Sequence, residues 1–241
     1  MATEAIPQRS RASEFLEGVR MGMPVVIASA PFALLFGAVA VDNGFTVAEV
    51  VIMSAAIFGG ASQMVGIELF GQHIAPWLVV LSIFAVNFRH VLYSATIGRH
   101  LTHWPLGQQA IAYFLLTDPQ FAETERKAET GRPVSFVWYM GMGLVMYVNW
   151  TVQSGLGALF GRLIPDTRAL GIDFLLPIYF LGLVMSFRKR PLWLPVVIAS
   201  GIASIVAYKT IGSPWHVSIG ALVGVILGAI AAPDKQESPT A

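Results

Sequence analysis

From Met21 to Val41, and again from Pro133 to Gly161, the chain contains no charged residue. These runs constrain the fold most, because a helix needs ~20 mostly apolar residues to cross a hydrocarbon core of ~30 Å. Backbone polar groups find no water at that depth, so a crossing segment satisfies them internally as a helix. The composition agrees: 55% of the 241 residues are hydrophobic and 12% are charged, against ~25% charged in soluble domains. The chain reads as an all-α integral membrane protein, a polytopic helical bundle.

Cutting at charges and turn residues gives about eight transmembrane helices: Met21–Val41, Val50–Glu68, Ile74–Gly98, Leu106–Ala122, Pro133–Gly161, Ala169–Phe187, Pro191–Tyr208 and Pro214–Ala232. The fourth is short and carries Asp118 before Pro119, which suits a half-spanning or bundle-buried segment. Met1 to Arg20 mixes Glu4, Glu14 and Glu17 with Arg9, Arg11 and Arg20, so the first span is read as retained, preceded by a short interfacial helix over Glu14–Arg20. The expected organisation is residues 1–20 as a cytoplasmic segment, 21–232 as a transmembrane transport domain and 233–241 as a cytoplasmic tail. With both termini cytoplasmic, ten Lys and Arg fall inside and four outside, the four being Arg99, Arg162, Arg168 and Lys209. A weak echo relates Ala33–Gly37 to Gly157–Gly161, which points to duplicated halves of the kind many transporters show.

The chemistry left to such a chain is narrow. No cysteine is present, which removes thiolate nucleophiles, disulfides and cysteine metal sites. The net charge of +1 offers no basic field for nucleic acid. No phosphate-binding loop occurs, so the chain is not read as hydrolysing ATP by itself. His100 and His103 have a ligand-like spacing but no carboxylate beside them in the sequence, and neither a metal nor a cofactor is expected. Ser200 and His216 are the one pair that an intramembrane serine hydrolase could use, a remote reading because Ile198-Ala199-Ser200-Gly201 makes a poor nucleophile loop. The chain is therefore not read as an enzyme.

Polar groups at membrane depth are costly and mark function by default. The sharpest are Asn87, Arg89 and His90 in the middle of the third span, where a guanidinium can fork onto a carboxylate. Asp118 is its expected ion-pair partner or a proton site, with His90 beside it; a structural pair with Asp118 or Glu68 is the plainer reading. In the second span, Gly59 and Gly60 weaken the helix while Ser62 and Gln63 add polar atoms, which fits a discontinuous helix whose freed backbone binds a zwitterion. Close packing through small residues accounts for the glycines equally well. Pro31, with Pro24, kinks the first span and frees carbonyls. Asn149 and Gln153 share a helical face suited to interhelical hydrogen bonds. Gly220, Gly224 and Gly228 repeat every four residues on the last helix, a stripe for close contact within the chain or with a partner. These features describe a secondary transporter, or else a membrane subunit that only scaffolds or senses.

Pro24 with Ala30–Gly37, Met53–Gln63, Val86–Ser94 and Leu116–Asp118, in that order, resemble the AzlC/YgaZ family, the large subunits of bacterial branched-chain amino acid exporters. Two departures stand out: Phe58-Gly59-Gly60 where the family usually has phenylalanine-alanine-glycine, and Met64 where phenylalanine is common. The resemblance implies export of leucine, isoleucine, valine and methionine across the inner membrane with a small hydrophobic AzlD-type subunit. A higher oligomer is compatible with it. On that reading Gly59, Gly60, Ser62, Gln63, Asn87, Arg89 and Pro31 line the substrate site, with Asp118 and His90 coupling protons or forming the ion pair.

Overall fold

The computed structural model describes residues 10–71, 75–161, 178, 181–182, 184–185, 187–212 and 215–231. Among them lie nine helices: α1 (Arg11–Asp42), α2 (Val47–Ile57), α3 (Gly60–Gly71), α4 (Pro76–Leu101), α5 (Leu106–Phe114), α6 (Asp118–Glu129), α7 (Phe136–Phe160), α8 (Trp193–Thr210) and α9 (Trp215–Ile230). Three of these, α1, α4 and α8, are long and apolar enough to cross a membrane. The expected sixth span, the first nine residues and the last ten lie outside or mostly outside the described residues. The chain divides into two compact units, residues 1–83 with 87–179 and residues 84–86 with 180–241.

The spine of the first unit is the pair α1 and α7. Ser10 caps α1, and the helix runs unbroken through Pro24 and Pro31, so Glu14–Arg20 forms its opening turns and not a separate helix. The two helices lie parallel, and small residues bring their backbones into contact at both ends. A Cβ on Gly18 would collide with the Trp138 carbonyl and one on Gly141 with that of Phe15; near the far end Gly37 meets the Ser154 carbonyl and Gly157 that of Leu34. The contacts are reciprocal, and the sequence echo falls on them. The same offset pairs Asp42 and Glu49 with Asp166 and Asp173, the latter two outside the described residues.

Two of the expected crossings are hairpins instead. After α1, a turn through Gly44 at φ 93 leads to α2, started by a capping box in which Thr46 and Glu49 bond each other's backbone N–H. At Phe58–Gly59 the chain reverses, and α3 climbs back to where α2 began: the Phe70 ring packs tilted against Phe45 at 5.4 Å, and Gly71 lies against Asn43. With 11 and 12 residues, α2 and α3 extend only ~16 to 18 Å each, about half a hydrocarbon core. From that end α4 runs the whole way to the end where α1 starts, and there Arg99 and His100 both reach Glu125. The chain then turns inward as α5, breaks at Leu115–Thr117, and returns as α6. A sequence that breaks in mid-span can either cross or reverse, and the ring and ion-pair contacts decide for reversal.

In the second unit α8 and α9 pack antiparallel, with Gly220 and Gly224 against Ser200 and Gly228 nearest Val196. The glycine stripe is thus used inside the chain, the first of the two uses its spacing offered.

Candidate functional site

The tips of the two hairpins meet halfway along α7. At the first, Gln63 is buried and its amide makes three bonds: Oε1 accepts from Gly59 N–H at 3.2 Å and from Trp150 Nε1 at 3.1 Å, while Nε2 donates to Ser54 Oγ at 3.3 Å. Ser62 Oγ donates to the Gly59 carbonyl at 2.8 Å. These bonds close the gap between the end of α2 and the start of α3, whose backbone groups would otherwise be orphaned. Gly60 has no side chain because the Trp150 ring occupies that space, 2.6 Å from where a Cβ would stand. Trp150 in turn packs between Phe32 and Phe36 of α1, with ring centroids at 5.6 and 5.9 Å.

At the second tip, Asp118 opens α6, so the positive end of that helix dipole falls on its carboxylate. Oδ1 accepts from Tyr93 Oη at 2.9 Å and faces Arg89 Nη1 at 3.0 Å. The Arg89 side chain keeps 26% of its surface exposed. His90 lies edge-on to Tyr93 at 5.7 Å, and Tyr93 stacks on Phe121 at 4.3 Å. The break before Asp118 frees the Ala112 carbonyl, which Tyr139 Oη takes at 2.9 Å.

Two faces of α6 have separate partners. Asp118, Phe121 and Glu125 face α4. Gln120 donates to the Tyr139 carbonyl at 3.1 Å, and Lys127 sits 4.2 Å over the Trp138 ring and 3.6 Å from Glu17 of α1. Burial lowers the pKa of the Lys127 ammonium from its usual 10.5, and the Glu17 carboxylate opposes that shift. Arg132 reaches the same Glu17 at 2.8 Å.

The structure therefore brings Arg89, His90 and Asp118 together at one tip and gathers Gly59, Gly60, Ser62 and Gln63 at the other. Asn87 lies half-buried on α4, and Pro31 sits within α1 one residue before Phe32. Asn149 reaches across to the Val26 carbonyl of α1 at 3.4 Å, the interhelical use its position suggested. The remote hydrolase pair is not assembled: Ser200 packs on Gly220 and Gly224, whereas His216 lies against Tyr208. No cluster suited to a metal ion occurs among the described residues. Sequence reasoning missed Tyr93, Phe114, Tyr147 and Trp150; aromatic residues are too frequent here, at 11% of the chain, to stand out by position. It also placed Arg99 at the wrong end, and the pairing of Arg99 with Glu125 moves it to the end where α1 starts.

A family model described as AzlC protein matches residues 24–164. The chain is 28% identical over 229 residues to the inner membrane protein YgaZ of Escherichia coli K12, covering 92% of this chain and 90% of that protein. It is 30% identical over 224 residues to an uncharacterized membrane protein of Archaeoglobus fulgidus, covering 93% and 94% respectively. No solved structure matches the chain.

Proposed function

The chain belongs to the AzlC family of membrane proteins, and from that premise we propose that it is the large subunit of a secondary transporter exporting branched-chain amino acids and methionine. Its partner on this reading is a small hydrophobic AzlD-type subunit, and its place is the inner membrane. The topology proposed has six crossings and two half-depth hairpins entering from opposite sides, with both termini cytoplasmic. Support comes from the positive charges: Arg99, Arg126, Lys127 and Arg132 gather at the end where α1 starts, and in the sequence Arg188, Lys189 and Arg190 follow two expected crossings later, α7 and the run Ala169–Phe187, on the side expected to be cytoplasmic. The echo between α1 and α7 supports duplicated halves in the same sense.

The observation carrying the transport reading is the pair of Arg89 and Asp118 at the tip of a discontinuous helix in mid-bundle. Broken helices at that depth are where secondary transporters bind zwitterions. Every amino acid presents a carboxylate, and the Arg89 guanidinium, now 3.0 Å from Asp118 through Nη1, can give it a two-pronged contact. The ammonium then falls to Asn87 and to carbonyls at the α2 tip, a tip whose shape is set by Gly59 and Gly60, against which Ser62 and Trp150 pack. Gln63 contributes by holding that tip in shape. Pro31 has no N–H to offer the Ile27 carbonyl, which leaves a further acceptor on α1. Asp118, with His90 alongside, takes up a proton from the outer side once the substrate has left and returns it to the cytoplasm when the next substrate binds, so that inward proton movement drives efflux.

The test is efflux of preloaded leucine, isoleucine, valine or methionine from cells with the chain, with the chain and its small subunit, and with neither. Faster efflux only when both subunits are present is the expected result. Identical efflux in all three would assign the chain to scaffolding or sensing.

A further inference from the structure

Phe58 is one of two non-glycine residues with a left-handed backbone among the described ones, at φ 44 and ψ 45. It occupies the position just after the last residue of α2, where glycine is usual because a Cβ disfavours that conformation. Gly59 and Gly60 follow at once, so the chain has glycine to hand and still builds its reversal on phenylalanine. Strain of this kind survives where the side chain's position matters. The ring is 7% exposed, edge-on to Tyr147 at 5.2 Å and 6.4 Å from Phe114. Phe114 in turn lies 5.8 Å from Tyr147. Tyr147 is fixed by its hydroxyl, which donates to the Ala55 carbonyl at 2.9 Å. One ring thus comes from each hairpin tip and one from the spine. Phe114 is also 43% exposed, unlike Leu115 and Leu116 beside it, which are buried.

We propose that Phe58, Phe114 and Tyr147 form the subsite for the substrate's side chain, and that an aliphatic group entering between Phe58 and Phe114 parts the two tips. This rests on the transport reading above. The geometry links the subsite to the charge pair, because only Leu115, Leu116 and Thr117 separate Phe114 from Asp118. Moving the Phe114 ring therefore moves the carboxylate that faces Arg89. A side chain of the right bulk does both at once, and a glycine or alanine substrate is too small to shift the ring. The rings select for an apolar side chain because all three faces they present are carbon, with the Tyr147 hydroxyl already committed to Ala55.

The variants Phe58→Gly and Phe114→Ala test this. Glycine suits the left-handed backbone, so Phe58→Gly keeps the reversal while deleting the ring. The readout is the ratio of efflux kcat/KM for leucine and phenylalanine in vesicles carrying both subunits, beside thermal stability in detergent. Each variant is expected to shift that ratio toward phenylalanine by about tenfold or more, the scale on which apolar pockets discriminate size, while still unfolding in one cooperative transition; in Phe58→Gly the relieved backbone offsets part of the lost ring packing. A fall in both rates with the ratio unchanged overturns the subsite, as does an equal shift of the ratio in Gly37→Ala, a destabilised control remote from the three rings. If the parent moves neither amino acid, the transport reading fails and the subsite with it, a result that the unsubstituted protein alone would reveal.

Discussion

Replacing Gln63 with leucine keeps the bulk at the first hairpin tip and removes the amide whose three bonds close it, leaving the Ser62 hydroxyl on the Gly59 carbonyl. Two donors then lose their acceptor, Gly59 N–H and Trp150 Nε1, at 3.2 and 3.1 Å in the parent. Trp150 Nε1 is buried and Gly59 N–H partly so, and an unsatisfied buried donor costs ~1 to 3 kcal/mol. Ser54 adds little, because its hydroxyl can turn to a carbonyl one turn back on its own helix. The expected loss is ~2 to 6 kcal/mol, which for a chain of this length lowers Tm by ~4 °C at the least. Trp150→Phe relieves one of the two orphans, so Gln63→Leu made on that background should cost about half as much, with a coupling of ~1 kcal/mol or more. The assay is thermal unfolding in detergent at one scan rate for the parent, both single variants and the double. A Gln63→Leu protein as stable as the parent, or two substitutions whose effects simply add, would refute the view that this amide holds the reversal together.

Arg89→Lys retains charge but loses the planar fork, so efflux should fall by about tenfold or more while membrane yield stays near that of the parent; efflux at parental rate removes Arg89 from the substrate site. Asp118→Asn keeps the shape and the contact with Tyr93 but cannot titrate, and the pH dependence of efflux should flatten. An unchanged profile would leave Asp118 a structural role alone. Gly37→Ala drives a methyl into the Ser154 carbonyl of α7, overpacking that costs ~1 to 3 kcal/mol, whereas Gly107→Ala meets nothing within 4 Å and should be neutral or mildly stabilising. Equal Tm values for the two glycine variants would mean that the α1 and α7 backbones do not touch as described.

How far the sequence announces this architecture depends on the kind of signal. Helical class and membrane depth follow from charge-free runs, which need no tertiary knowledge. The break at Phe58–Gly59 is legible too, because two glycines beside polar residues weaken a helix whatever packs around it. Its sense is not, since crossing and reversing use the same local breakers; the choice was made by Phe45 with Phe70 and by Arg99 with Glu125, pairs 25 and 26 residues apart. Arg89 and Asp118 were expected to meet because an intramembrane guanidinium requires a counter-charge, and few carboxylates are at hand. The aromatic cluster is illegible for the opposite reason, as rings near every tip and face give no contrast until the backbone places them.

Two half-length hairpins also bear on how such a chain is made. Neither α2 with α3 nor α5 with α6 can span the bilayer, and each ends in mid-depth with backbone groups that lipid cannot satisfy. Trp150 and Tyr147, which receive the first tip, and Tyr139, which takes the carbonyl freed at the second, all lie on α7. From the start of α2 to the end of α7 is roughly a hundred residues, a delay of ~5 to 20 s at ordinary rates of synthesis. During that interval α1 is inserted without its parallel partner, and the first hairpin waits at the translocon or the interface. A ribosome stalled before α7 would therefore leave a nascent chain dependent on an insertase or chaperone, and one released there would be a substrate for membrane quality control.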